Sequence, residues 1–116
     1  MNEHDCLFCK VIRREIGAKI IAENDRLIAF LDINPVAPVH ALIVPKFHMA
    51  NINDINQENS YYLGEIMLMA REIAQSYNIN NTGYRLVVNN ELSAQQSVFH
   101  LHVHILGGRD FSWPPG

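Results

Sequence analysis

The sequence predicts an α+β fold: a five-stranded antiparallel sheet with one long and one short helix. Three observations carry this. Five short apolar, partly β-branched runs are bounded by turn residues. A single stretch, residues 57–77, repeats apolar positions at three and four residue intervals. Every connection between strands is compatible with antiparallel pairing. At 116 residues the chain is expected to form one domain, residues 1–116, because two would each be too small to hold a core.

Taken in order, residues 5–15 carry Leu7, Phe8, Val11 and Ile12 at helical spacing, with Asp5 positioned to cap. A short amphipathic helix follows, with Cys6 and Cys9 on one side of it. Residues 20–23 and 27–31 read as two strands joined by a tight turn at Asn24-Asp25-Arg26. The stretch from Asp32 to Pro38 is a loop, since Pro35 and Pro38 exclude a helix or a central strand. Residues 40–44 form a buried strand closed by Pro45.

The long helix is expected over 57–77, with Leu63, Ile66, Met67, Ala70, Ile73, Ala74 and Tyr77 as its core stripe. Tyr62 and Met69 lie off that stripe and widen the apolar surface, which suits either a broad core face or contact with another subunit. Strands follow at 84–88 and 98–106, separated by a polar loop. One long helix covers one face of the sheet. The other side is open for a ligand or a partner chain.

Composition narrows the function. The chain is 48% apolar and 18% charged, as a compact domain requires. Nine Lys and Arg against 12 Asp and Glu give a net charge of -3, with no basic run, so broad nucleic-acid binding is disfavoured. No apolar stretch is long enough to span a membrane, and the start lacks the pattern of a secretory signal. A cytoplasmic protein without a membrane partner is expected. There Cys6 and Cys9, spaced C-x-x-C, are free thiols or metal ligands rather than a structural disulfide.

The most informative segment is Val98-Phe99-His100-Leu101-His102-Val103-His104-Ile105-Leu106. Side chains alternate across a strand, so Leu101, Val103 and Ile105 should enter the core while His100, His102 and His104 share the opposite face. Three of the six histidines thus make one chemical surface. It could be a solvated face, a metal site, a proton sensor, or a centre for acid, base or nucleophile chemistry. Neutral imidazole suits the last of these, and no carboxylate ligand lies nearby in sequence.

The run His100-x-His102-x-His104 resembles the signature of the histidine triad (HIT) superfamily, and its surroundings resemble the Hint branch, the histidine triad nucleotide-binding proteins. The likeness spans nearly the whole chain. It includes Leu7-Phe8-Cys9-Lys10, Phe30-Leu31-Asp32-Ile33-Asn34-Pro35, Ala37-Pro38-Val39-His40, Val44-Pro45-Lys46 and Gly83 to Asn89. Gln96-Ser97-Val98, Gly107-Gly108-Arg109 and Trp113-Pro114-Pro115-Gly116 complete it.

This resemblance implies a HIT-like fold and a homodimer that binds purine nucleotides of the AMP or GMP type. It implies hydrolysis of purine nucleoside 5'-phosphoramidates to nucleoside monophosphate and amine, through a nucleotidyl-histidine intermediate on His102. His40, His100, His104 and Ser97 are the implied catalytic partners, with His40 or a backbone carbonyl fixing the His102 tautomer. Asn89 and Gln96 are implied near the phosphate. Leu7, Phe8, Val11, Phe30 and Ile33 would hold the base, and Asp32 would accept from the ribose hydroxyls. Phe30 and Ile33 serve equally well as ordinary core, and Asp32 as the start of a turn.

No cofactor is implied for catalysis. Cys6, Cys9, His48 and His100 resemble the structural zinc site of some members of the superfamily. Trp113 is implied in the partner subunit's pocket, on the leaving-group side. The chain departs from the Hint pattern at Ala94-Gln95, where glycines are common, and at Gly17, where proline is frequent. A nucleotide-binding regulatory protein, a dinucleoside polyphosphate hydrolase and a zinc-dependent interaction module are the alternatives.

Overall fold

The computed structural model describes residues 5–116. Its sheet holds β1 (Ile20–Glu23), β2 (Leu27–Leu31), β3 (Val39–Pro45), β4 (Tyr84–Val87) and β5 (Val103–Gly107) in the order β1-β2-β3-β5-β4, every pair antiparallel. Helices α1 (Leu7–Ile12) and α2 (Tyr61–Ser76) complete the α+β fold expected from the sequence, together with two single 3-10 turns.

The β1–β2 turn is closed by Asn24, whose side-chain oxygen accepts from the backbone N–H groups of Arg26 and Leu27 at 2.9 and 2.8 Å. Alternation then sorts the strands. Leu27, Ala29, Ala41, Ile43, Val103 and Ile105 pack under α2, while Ile28, Phe30, Leu42 and Val44 pack against Phe8, Cys9 and Val11 of α1 and Cys6 beside it. The sheet therefore has a core on each face. The second face is only partly covered, and the site lies at the uncovered part.

Four details depart from the sequence expectation. Helix α1 is capped by Cys6, not Asp5, with the Cys6 sulfur accepting from the Cys9 N–H at 3.4 Å. Helix α2 starts at Tyr61, because Asn56 and Asn59 accept from each other's segment in a reciprocal turn that uses up the polar lead-in. The buried stripe of α2 is Tyr62, Ile66, Met69, Ala70, Ile73 and Ala74, while Met67 and Tyr77 are exposed and Leu63 half-buried. Four of these positions belong to both candidate stripes, and packing over β3 and β5 settles the rotation in favour of the Tyr62–Met69 side.

The fourth departure matters most. β5 begins at Val103, not Val98, because the backbone ahead of it leaves the ladder. There the Leu101 N–H donates to the carbonyl of Met49 at 2.7 Å. The Pro45 carbonyl accepts from the ring of His100 at 2.7 Å.

Candidate active site

That break in the strand splits the three histidines. His100 turns inward and is fully buried, so the expectation of three imidazoles on one open face is corrected: only His102 and His104 line the cavity. Each ring is fixed by a different partner. The partners dictate which nitrogen carries the proton, because a neutral imidazole has one N–H.

For His100, Nε2–H donates to the Pro45 carbonyl, leaving Nδ1 bare. For His102, Nδ1–H donates to the carbonyl of His100 at 2.7 Å, leaving Nε2 bare. His40 Nδ1 accepts from the Val36 N–H at 3.1 Å, so its proton sits on Nε2, 3.0 Å from His104 Nδ1 and 3.4 Å from Asp32 Oδ2. His104 therefore accepts at Nδ1 and carries its proton on Nε2. A backbone carbonyl, not His40, holds the His102 tautomer, and His40 acts on His104 instead.

Burial keeps these rings neutral. It pushes the pKa of His100 down to about 4, and that of His104 to about 4 with help from its neighbours His102 and His40. His102 and His40 are also lowered, chiefly by burial, which the nearby Asp32 carboxylate partly opposes. The edge of Phe8 stands perpendicular to the His102 ring, centroids 5.0 Å apart. His102 is thus a neutral ring, held on one side by hydrocarbon and on the other by a carbonyl.

The cavity has a volume of about 290 Å³, near the lower end of the small-molecule range of roughly 300–1,000 Å³. Leu7, Phe8, Val11, Phe30 and Ile33 line it together with Asp32, Ser97, His102 and His104. Ile16, Gly17, Ala18, Leu31, Asn34, Leu42 and Val98 also line it and were not foreseen. Leu42 could have been found by alternation from His40 on β3. Asn34 could have been found as the end of the turn in which Asp32 Oδ1 accepts the Asn34 N–H at 2.8 Å. One end of the cavity is apolar. The other ends in a carboxylate and two imidazoles.

Other expected site residues stand apart. Gln96 is buried, and its amide is consumed by the carbonyls of Ala50 and Val98, the Glu91 N–H and the side chain of Asn51. Asn89 does not line the cavity, and neither does Trp113, which is 82% exposed. His40 lies behind His104.

A second constellation joins α1 to the sheet. Cys6 Sγ lies 3.3 Å and Cys9 Sγ 3.5 Å from His100 Nδ1, Cys9 Sγ 3.4 Å from His48 Nδ1, and the two Nδ1 atoms 3.1 Å apart. Tetrahedral zinc with thiolate and imidazole ligands sets donor atoms roughly 3.3–3.8 Å apart. The four residues fit it, and the bare Nδ1 of His100 is the electron pair a metal needs. Asp32, His40 and His104 also converge. That set does not fit: His40 Nε2 must carry the ring's proton while Nδ1 accepts from Val36, so it has no lone pair to give.

The HIT domain model matches residues 13–111. The chain belongs to the HIT family. An uncharacterised HIT-like protein of Synechocystis sp. is 49% identical over 112 residues, covering 97% of each chain. A HIT family hydrolase of Legionella pneumophila superposes with a TM-score of 0.94 at 46% identity, over 97% of this chain and 100% of that one. A HIT family hydrolase of Clostridium thermocellum gives 0.91 at 48%, over 93% and 94%. The HIT domain match begins after α1, so the C-x-x-C pair lies outside it. No helix among the described residues is long and apolar enough to cross a membrane.

Proposed function

We propose that this HIT-family chain hydrolyses purine nucleoside 5'-phosphoramidates, with His102 as the nucleophile. The observation that carries the reading is the proton placement in the cavity. The bare Nε2 of His102 and the protonated Nε2 of His104 belong to neighbouring rings, centroids 5.0 Å apart, at the polar end of an otherwise apolar pocket.

In the reaction, His102 Nε2 attacks the α-phosphorus, the P–N bond breaks, and the leaving nitrogen takes a proton from solvent to depart as the amine. The nucleotidyl-imidazolium then passes its nucleotidyl group to water as the P–Nε2 bond breaks, giving the nucleoside monophosphate, returning a proton to solvent and restoring the neutral ring. Neutral His102 serves this because its lone pair is free, and its developing positive charge is shared with the His100 carbonyl through Nδ1–H. His104 Nε2–H and the Ser97 hydroxyl donate to the phosphoryl oxygens. Asp32 accepts from the ribose hydroxyls, and Leu7, Phe8, Val11, Phe30 and Ile33 enclose the base.

Cys6, Cys9, His48 and His100 hold a structural zinc ion in this reading. When bound, it supplies folding free energy by stapling α1 to the sheet, with all four positions taken by protein. None of these residues lines the cavity, so this ion would not touch the reacting atoms. The working unit is a homodimer formed at the exposed edge of β4 and the apolar Met67 and Leu68 on α2, and Trp113 reaches the partner's leaving-group side.

The test is a comparison of His102→Ala with wild type. Turnover of a purine nucleoside phosphoramidate should fall on the order of a thousandfold or more while nucleotide affinity changes little. Equal loss of binding and turnover would point to a nucleotide-binding protein without this chemistry.

A further inference from the structure

The loop between β2 and β3 bears on the protonation of His40 and His104 through one exposed residue, Val36. Its N–H donates to His40 Nδ1 at 3.1 Å, and its carbonyl accepts from Arg109 Nε at 3.0 Å. Arg109 is itself held. Its Nη1 donates to the Asp110 carbonyl at 2.9 Å, and its guanidinium lies 4.4 Å from the centroid of the Phe111 ring. Arg85 on β4 lies 4.9 Å from the same ring and donates to the Ser112 carbonyl at 3.0 Å. Where β5 ends, Gly108 at φ +88 brings the backbone so close to Pro38 that an added Cβ would stand 3.0 Å from the Pro38 Cβ. The chain after β5 is thus pressed onto the loop that carries Val36.

We propose that Arg109 is a positioning residue for His104: by holding Val36 it fixes which nitrogen of His40, and hence of His104, carries the proton. The order of donation is Arg109 to Val36, Val36 to His40, and His40 to His104. It ends at a His104 Nε2–H facing the cavity. Arg109 does not line the cavity, so it acts only through these links. Were the Val36 amide to swing away, His40 Nδ1 would lose its donor. Only the Asp32 carboxylate, 3.4 Å from Nε2, would then favour a proton there, and in the fraction of rings with the other tautomer His40 would present a lone pair to His104 Nδ1. His104 would be driven to the tautomer whose bare nitrogen faces the phosphate oxygens, where a lone pair repels rather than donates.

This inference rests on the proposed phosphoramidase reading only for its kinetic consequence, so its test has an arm that needs no substrate. Imidazole nitrogen NMR on the full chain should show single Nε2–H tautomers for His40 and His104. In Arg109→Gln the His40 signals should move to a mixture of tautomers. Turnover of a purine nucleoside phosphoramidate should fall roughly tenfold in kcat with KM within about twofold, and Arg109→Lys should recover part of it. Val36→Pro deletes the N–H while leaving the carbonyl for Arg109, and should mix the tautomers with Arg109 in place. Unchanged ring signals and kcat in Arg109→Gln would overturn the proposal, whatever Val36→Pro does. A wild type that shows the stated tautomers but turns over no phosphoramidate would instead count against the function proposed above.

Discussion

His102 donates its Nδ1–H to the backbone carbonyl of His100 at 2.7 Å, while the ring of His100 points away from the cavity into the cluster formed with Cys6, Cys9 and His48. One residue therefore belongs to two sites: its carbonyl orients the proposed nucleophile, and its side chain completes a metal-ligand set. A change in the cluster reaches His102 through this hydrogen bond and through Phe8, whose ring packs against both histidines.

Loss of the cluster should first appear as loss of stability. Metal analysis of protein expressed with zinc should find one ion per chain, and none in Cys9→Ser. That variant, or chelation of the wild type, should lower the unfolding temperature by roughly 10 °C, equivalent to about 2 kcal/mol in a domain of this size. An unchanged melting temperature after complete metal removal would refute the structural role.

Ile33 offers a separation of binding from folding. It is 89% exposed yet lines the cavity, so it contributes little to the core. Ile33→Ala should leave the melting temperature nearly unchanged and weaken binding of a purine nucleoside monophosphate about five- to tenfold, as lost apolar contact of about 1 kcal/mol implies. Calorimetric titration measures it. Unaltered affinity would move the base elsewhere.

Acid should destabilise the fold through His104. Its folded pKa is about 4, below the ordinary value of 6.5, so the native state binds fewer protons than the unfolded chain between these values. The contribution is complete above pH 6.5 and is lost as pH falls toward 4. Urea midpoints measured across that window should drop in the wild type and drop less in His104→Gln. Parallel curves would show that His104 does not titrate as described.

Gly107 and Gly108 should respond differently to alanine. At Gly108 the positive φ and the rigid Pro38 ring both oppose a Cβ, so Gly108→Ala should cost about 1–3 kcal/mol in urea unfolding. At Gly107 the new Cβ meets Ile79 Cδ1 at 2.5 Å and its Cβ and Cγ2 at 3.2 and 3.3 Å, so this buried side chain must shift, but the backbone φ is not positive, and Gly107→Ala should cost less. The reverse order would contradict the packing at the end of β5.

The β1–β2 hairpin, β3 and the shared face of His102 and His104 were readable from alternation and turn chemistry, while the rest of the expected cavity lining came from the resemblance to the HIT superfamily. Leu7, Phe8, Val11, Phe30, Asp32, Ile33, Ser97, His102 and His104 do meet in one cavity. The same alternation failed at His100, since period two assumes a continuous ladder and the His100 ring has taken the Pro45 carbonyl for itself. On α2 the flanks of the stripe were undecidable locally, because tertiary packing chooses between Met67 and Met69. Proton placement was out of reach for another reason. It depends on the Val36 N–H and on the Pro45 and His100 carbonyls, backbone groups whose direction no side-chain pattern encodes.

Mass spectrometry of protein quenched during turnover of a purine nucleoside phosphoramidate tests the central claim most directly. A nucleotidyl adduct on the peptide containing His102, absent in His102→Ala, is the predicted result. Full turnover with no such adduct, or an adduct that persists in His102→Ala, would contradict the account.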